Sequence, residues 1–102
     1  MSRYAVFGNG NGKKPAAVDG FIVLRTEKDK RSAYIKWSPV DNAFAYNIYY
    51  GTAPDKLYTC VMVHDLNEYW LKTMDKLMPY YLTIEAVNEN GVSAKTKLVR
   101  VD

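Results

Sequence analysis

The sequence has little that could stabilise a small domain covalently, and it has no segment long enough to cross a membrane. Its 102 residues include a single cysteine, Cys60, so an internal disulfide cannot form and stability must come from packing. No apolar run approaches the ~20 residues of a membrane-spanning helix. The 14 basic and 11 acidic residues are spread along the chain, so the net charge of +3 gives no clustered basic face. We therefore expect neither a membrane nor a nucleic acid as partner.

Alternating apolar residues are abundant, and their period is that of β-strands. Hydrophobic residues make up 48% of the chain and aromatic residues 14%, and nine tyrosines against three phenylalanines favour strands over helices. The clearest alternation lies on both sides of Pro39, which interrupts a ladder because it has no N–H to donate. The predicted inward set is Ala33, Ile35, Trp37, Tyr46, Ile48 and Tyr50. Trp37 and Tyr46 should therefore meet in a core between two layers of strands.

The alternation recurs along the chain in short segments with turn residues between them. The predicted strands cover residues 17–28, 33–38, 46–50, 57–63, 68–73, 80–88 and 92–101. Glu89-Asn90-Gly91 is typical of a tight hairpin turn, and no segment has the period of a helix. The pattern leaves open which alternate set of the first strand faces inward. The sequence therefore predicts an all-β fold, a seven-stranded antiparallel sandwich of two sheets.

The first residues are predicted to be separate from this sandwich. Residues 3–7 have the composition of a short strand, and the Gly- and Asn-rich run from Gly8 to Gly12 is typical of a flexible linker. That run lacks the Gly-Lys-Ser/Thr ending of a phosphate-binding loop and offers no carboxylate for calcium. Residues 1–14 are interpreted as the end of a preceding domain plus a linker, and residues 15–102 as one domain. The alternative is that residues 3–7 add an edge strand to this domain.

Three motifs give the sandwich a family resemblance. They are Trp37-Ser38-Pro39-Val40, then Tyr46-Asn47-Ile48-Tyr49-Tyr50-Gly51, and then Tyr80-x-Leu-x-Ile-x-Ala86-Val87-Asn88-x-x-Gly91-x-Ser93. Over about residues 15–102 the chain resembles a fibronectin type III domain of the bacterial kind, an immunoglobulin-like sandwich. The resemblance implies one sheet of three strands and one of four, with Trp37 in the core and Tyr80 as the tyrosine-corner residue. The family usually has Leu six residues before that Tyr, where this chain has Met74, so the construction of the corner stays open.

The N-terminal segment has a second resemblance, which concerns the protein around the domain. Residues 3–12 are similar to the closing strand of a carbohydrate-binding β-jelly-roll domain. Their junction with a type III module is similar to the C-terminal end of secreted family 43 glycoside hydrolases (β-xylosidase/arabinosidase type) of Bacteroides-like bacteria. Met1-Ser2-Arg3 leads straight into mixed residues, so we expect no signal peptide in this segment. The resemblance implies a non-catalytic accessory or spacer module, without a cofactor, that positions neighbouring domains of a larger extracytoplasmic protein (periplasmic, cell-surface or secreted).

The sequence contains no evident catalytic or metal-binding constellation. Glycoside hydrolysis requires two carboxyl groups roughly 5–9.5 Å apart across a cleft. The acidic residues instead fall at separate predicted turns: Asp29, Asp41, Asp55, Asp65, Asp75 and Glu89. Glu85 is expected in solvent on the outer face of a strand, and His64 has only Cys60 nearby, which is too few ligands for zinc. Cys60 is expected to be a small buried residue. We therefore expect that this chain by itself is not an enzyme.

Four aromatic side chains are expected on the outer faces if the two core rings point inward. They are Tyr34, Tyr49, Trp70 and Tyr81. The strand order implied by the resemblance pairs Tyr34 with Trp70. It also pairs Tyr49 with Tyr81. Such pairs stabilise a sheet by cross-strand packing, and they are also suited to docking a neighbouring domain or to stacking on a plant polysaccharide. The three roles stay open at this stage, and the domain is expected to be a monomer.

Overall fold

The computed structural model describes residues 12–102, which form a sandwich of two antiparallel sheets. The strands are β1 (Ile22–Arg25), β2 (Ala33–Lys36), β3 (Ala45–Gly51), β4 (Thr59–His64), β5 (Glu68–Leu71), β6 (Tyr80–Asn88), β7 (Gly91–Val92) and β8 (Val99–Val101). One sheet has the order β1-β2-β5 and the other has the order β4-β3-β6-β7, with β8 also paired to β6. No helix in this part of the chain is long and apolar enough to span a bilayer. The predicted all-β sandwich, and the division of its strands between two sheets, are confirmed.

The core lies between the sheets, where the rings of Trp37 and Tyr46 meet. Their centroids are 5.2 Å apart with the ring planes at 59°, and both side chains are buried. The Tyr46 hydroxyl accepts a hydrogen bond from the Val40 N–H at 2.8 Å, which ties the turn between β2 and β3 to the core. Of the predicted inward set, Ala33, Ile35 and Ile48 are also buried and Tyr50 is partly buried against the core. Leu82, Ile84 and Ala86 of β6 are buried in the same layer. Each large apolar side chain buried in this layer contributes roughly 1.5–3 kcal/mol to the free energy of unfolding.

The first strand is shorter than predicted, and the structure shows which of its alternate side chains face the core. Gly20 has a φ of 67°, a left-handed conformation that glycine adopts without strain, and it bends the chain between Val18 and β1. Val18 and Val23 are both buried. Ile22 and Leu24 are both exposed, so β1 contributes only one side chain to the core.

The last predicted strand, residues 92–101, is divided into β7 and β8 by residues outside the regular ladder. Side-chain hydroxyls take over part of the pairing with β6. The Ser93 hydroxyl accepts a hydrogen bond from the Ala86 N–H at 2.9 Å, and the Thr96 hydroxyl accepts one from the Ile84 N–H at 3.2 Å. Because these hydroxyls accept hydrogen bonds from backbone N–H groups of β6, the segment between β7 and β8 can depart from regular strand pairing without leaving those buried N–H groups unbonded. The prediction of one continuous final strand is therefore wrong.

The hairpin turn between β6 and β7 holds the segment that leads into the domain. Gly91 has a φ of 137°, which a residue with a side chain rarely adopts. The side-chain amides of Asn88 and Asn90 both donate to the Lys13 carbonyl, at 2.9 and 3.2 Å. Residues 1–11, which include the predicted N-terminal strand and most of the predicted linker, lie outside the described part of the chain.

The tyrosine corner forms although the usual Leu is absent. The Tyr80 hydroxyl accepts a hydrogen bond from the Asp75 N–H at 2.7 Å. Met74, which stands in the position of that Leu, is buried, and its flexible thioether side chain fills the space. The Arg25 guanidinium lies 5.3 Å from the centroid of the Tyr80 ring and donates to the carbonyls of Asp75 and Met78 at 2.8 and 2.7 Å. The corner is thus held by a hydroxyl and an arginine that act on the same loop.

Removal of the corner hydroxyl gives a direct test of this arrangement. Tyr80→Phe is expected to lower the free energy of unfolding by about 1–3 kcal/mol, because it leaves the Asp75 N–H without its acceptor. Tyr58→Phe is the matched control, since Tyr58 is 84% exposed, and its effect should lie within about ±0.5 kcal/mol. Urea unfolding followed by tryptophan fluorescence measures both variants. Equal unfolding midpoints for the two variants would contradict a stabilising role for the corner.

Candidate functional site

Three side chains form a continuous row across the outer face of the β1-β2-β5 sheet. Leu24 lies opposite Tyr34, and Tyr34 lies opposite Trp70. The centroids of the Tyr34 and Trp70 rings are 5.1 Å apart, with the ring planes at 45°. The side chains of Leu24 and Trp70 are 60% and 51% exposed. We call these three residues the aromatic row, and the predicted pairing of Tyr34 with Trp70 is confirmed.

A second row on the same face carries charged groups along one side of the aromatic row. Ile22 lies opposite Lys36, and Lys36 lies opposite Glu68. The Tyr34 hydroxyl donates a hydrogen bond to the Glu68 carboxylate, and this bond raises the pKa of Tyr34. The face therefore combines an open apolar area with an ionic margin, a composition found at protein interfaces.

The second predicted aromatic pair is wrong, because the register of β3 and β6 differs from the prediction by two residues. Tyr49 lies opposite Thr83, and Tyr81 lies opposite Gly51. A shift of two residues keeps both rings on the outer face but places them diagonally across the sheet. Since every side chain then stays on its own face, the alternation in the sequence carries no signal of such a shift.

Tyr49 belongs to a hydrogen-bond network that covers a carboxylate. Its hydroxyl donates to Oε2 of Glu85 at 2.7 Å, and the Asn47 side-chain amide donates to the same oxygen at 2.9 Å. The Lys95 Nζ lies 4.5 Å from the centroid of the Tyr49 ring. Glu85 is only 5% exposed, so its expected position in solvent is wrong. The two donors replace hydration that this carboxylate loses on burial.

Tyr81 is also covered by a neighbouring side chain. Nη1 of Arg100 donates to the Tyr81 hydroxyl at 3.2 Å, and the guanidinium carbon lies 5.7 Å from the ring centroid. Among the four predicted site residues, therefore, Tyr34 and Trp70 combine into an open surface, whereas Tyr49 and Tyr81 are engaged separately on the other sheet.

Sequence analysis missed Leu24 as a member of the aromatic row. Phe21, Ile22, Val23 and Leu24 are all apolar, so both alternate sets of this segment qualified for the core. Only the packing of Val23 against the opposite sheet placed Leu24 outside. The one available signal was the uninterrupted apolar run itself, which is longer than a single inward face requires.

Cys60 and His64 both lie on the solvent side of β4. Val61 and Val63 take the inward positions of this strand, so Cys60 is exposed and its expected burial is wrong. Within residues 12–102, no three His, Cys, Asp or Glu side chains gather in a group that could hold a metal ion.

Comparisons with known proteins bear on the fold. No protein-family model matches the chain, and no curated protein matches it in sequence. The chain is similar to the crystal structure of FN3tt, with a TM-score of 0.73 and 23% identity over 88% of this chain and 95% of that chain. It is also similar to an Fn3-like protein from Clostridium thermocellum, with a TM-score of 0.75 and 18% identity over 88% of this chain and 94% of that chain. A third similar structure is an FN3 domain of human collagen XX, with a TM-score of 0.66 and 18% identity over 85% and 91% of the two chains. The chain therefore has the fibronectin type III fold, as the sequence motifs implied.

The Tyr49–Glu85 hydrogen bond has a consequence for alkaline stability. This bond, together with burial, raises the pKa of Tyr49 to about 12, whereas an unfolded tyrosine titrates near ~10. Between these values the folded state keeps a proton that the unfolded state releases. The free energy of unfolding is therefore expected to fall as the pH rises from about 10 to about 12.

Carbon-13 NMR of the tyrosine Cζ atoms measures this titration residue by residue. Tyr49→Phe should remove one late-titrating signal, and Glu85→Gln should lower the pKa of Tyr49 by removing the negative charge. Titration of Tyr49 at the value of an unfolded tyrosine, about 10, would show that the bond to Glu85 does not hold the proton.

Proposed function

We propose that this chain is a non-catalytic accessory module that spaces and docks the neighbouring domains of a secreted, polysaccharide-degrading glycoside hydrolase. The docking role rests on one observation, the exposure of the aromatic row, in which Leu24 and Trp70 are more than half exposed. Adjoining large apolar side chains on an open face mark a surface that has a partner. The module itself supplies no catalytic or cofactor chemistry in this proposal.

The composition of the face favours a protein surface as its occupant. Leu24, Tyr34 and Trp70 cross the sheet side by side, and Lys36 and Glu68 lie beside them. An apolar centre with a polar margin is the usual organisation of protein–protein interfaces. Interfaces between domains of one chain bury about 600–1,500 Å² and are more polar than obligate interfaces, which suits this mixture.

The attachment of Lys13 supports the spacer role. Two side-chain amides hold the Lys13 carbonyl against the turn between β6 and β7. The domain itself therefore sets the position at which the chain joins it. A domain that precedes residue 12 would start from a defined point at this end of the sandwich, so the module would set a distance as well as provide a connection.

The identity of the parent enzyme rests on sequence resemblance. Residues 3–12, and their junction with the type III module, are similar to the corresponding region of family 43 glycoside hydrolases. In such an enzyme, joined domains raise the effective concentration of the catalytic domain on an insoluble polymer. The proposed location is accordingly extracytoplasmic.

Carbohydrate binding through the same face is the second candidate function. Trp70 is about half exposed beside the Tyr34 ring, and the Glu68 carboxylate accepts a hydrogen bond from the Tyr34 hydroxyl. Aromatic rings stack on the C–H faces of sugars, and a carboxylate can accept a hydrogen bond from a sugar hydroxyl. Docking is favoured because Tyr49 and Tyr81, the other two predicted contact residues, are covered by Lys95 and Arg100.

A titration with xylan and arabinoxylan fragments separates the two functions. Trp70 is half exposed and Trp37 is buried, so a sugar stacked on the face would change the fluorescence of Trp70. Under the docking proposal no saturable change is expected. Trp70→Phe is the control that assigns any response to this ring. A saturable change that this variant abolishes would establish the carbohydrate-binding function instead.

Hydrogen–deuterium exchange tests docking in the full-length natural protein. Peptides that contain Leu24, Tyr34 and Trp70 are expected to exchange more slowly there than in the separate domain. Leu24→Asp should remove this protection by placing a charge in the apolar area. Val92→Asp is the matched control, since Val92 is 44% exposed on the other sheet. Equal exchange in both contexts would rule out docking on this face.

A further inference from the structure

β4 lies at the end of its sheet and pairs along one side only. Its six residues pair with β3, and no other strand of residues 12–102 pairs with its far side. That side directs a row of backbone N–H and C=O groups to solvent. Such a row is the arrangement onto which another strand can add.

The hydrogen-bond phase of the ladder identifies these groups. The Asp65 N–H donates to the Phe44 carbonyl at 3.1 Å, in the same register as the pairs of β3 and β4. Hydrogen-bonded positions alternate along an antiparallel pair, so Val61 and Val63 bond toward β3. The residues whose backbone groups point away from β3 are Cys60, Met62 and His64. We call these three residues the β4 edge.

The β4 edge lacks the usual protection against strand addition. The other strands at sheet ends are shorter, and β1, β5 and β8 include Arg25, Glu68 and Arg100. β4 is six residues long, with the sequence Thr-Cys-Val-Met-Val-His, and it contains no Asp, Glu, Lys, Arg or Pro. Its register with β3 is continuous, so no bulge turns the edge away. Charges, proline and bulges are the devices by which edge strands normally prevent pairing.

We propose that the β4 edge pairs antiparallel with the β4 edge of a second copy of this chain, with Met62 opposite Met62 of that copy. In this register Cys60 lies opposite His64 of the second copy, so every outward backbone group takes part and about six hydrogen bonds form. A shift by one residue would place outward side chains against inward ones. A shift by two would leave part of the edge without a partner.

The symmetry of the edge favours a second copy as its occupant. A two-fold contact uses the same patch on both molecules, and the central position of the β4 edge lies on the axis. Because β4 contains no Asp, Glu, Lys or Arg, two copies approach without the repulsion that such opposed like charges cause. The Met62 side chain, 48% exposed, would then pack against its equivalent.

The association is expected to be weak, because the cost of ordering two molecules offsets much of the gain from backbone hydrogen bonds. We expect a monomer at micromolar concentration and a dimer at about 1 mM. The contact lies on the β4-β3-β6 sheet and leaves the aromatic row on the other sheet free. It is therefore separate from the docking role proposed above and can fail or hold independently of it.

A concentration series provides the first test. Nitrogen-15 NMR and sedimentation between about 10 µM and about 1 mM should show a dimer, with amide shifts concentrated at residues 60, 62 and 64. Met62→Lys should weaken the dimer by about ten-fold or more, since it opposes two like charges at the axis. Ile22→Lys is the matched control, because it adds the same charge to an exposed strand position of the other sheet, and it should leave the dimer unchanged.

A cross-link tests the register independently of the stability of the lysine variant. Opposed residues of a hydrogen-bonded antiparallel pair have Cα atoms about 5.5 Å apart, within the range that a disulfide spans. His64→Cys should therefore form a disulfide with Cys60 of the second copy under mild oxidation, more than about ten-fold faster than Lys36→Cys, an exposed control on β2. A protein that stays monomeric at about 1 mM, a dimer that Met62→Lys leaves intact, or equal cross-linking of the two cysteine variants would overturn the proposal.

Discussion

The contact between Trp37 and Tyr46 sets the geometry on which the rest of the domain depends. Trp37 directly follows β2 in one sheet and Tyr46 lies in β3 of the other, so their rings join the layers where the chain crosses between them. The Tyr46 hydroxyl also binds the Val40 N–H, which fixes the crossing turn. Because a strand places alternate side chains on opposite faces, fixing these two rings inward also fixes which side chains face solvent.

The two outer faces follow the same alternation and yet differ in character. β6 is flanked by β3 on one side and, on the other, by β7, β8 and the irregular segment between them. Tyr49 and Asn47 of β3 cover Glu85, and Lys95 of the irregular segment lies against the Tyr49 ring. β2 has only the short strands β1 and β5 beside it, and Ile22, Leu24 and Trp70 on their outer face are each about half exposed or more. Aromatic residues that look equivalent in the sequence therefore brace one sheet and form a surface on the other.

Local pattern was sufficient wherever one face of a strand is apolar and the other is polar. The bounds of β6 and the inward set around Pro39 were predictable for this reason. The same reasoning failed where both sets are apolar, as in β1, and where hydroxyls substitute for a ladder, as at Ser93 and Thr96. It also failed for the buried Glu85. The two side chains that donate to its carboxylate, Asn47 and Tyr49, are far from it in the sequence, and the pairing of β3 with β6 brings them beside it.

The sequence by itself determined the fold class and the inward residues of the central strands, because these depend on a two-residue period and on turn residues that act locally. The pairing of Tyr34 with Trp70 came instead from the strand order that the family resemblance implies. Only the tertiary structure decided which aromatics are open, which strand edge lacks protection and how the corner forms around Met74. Those features depend on register, on neighbouring strands and on contacts between residues far apart in the chain. A shift of two residues leaves every side chain on the same face, so no periodic pattern records it.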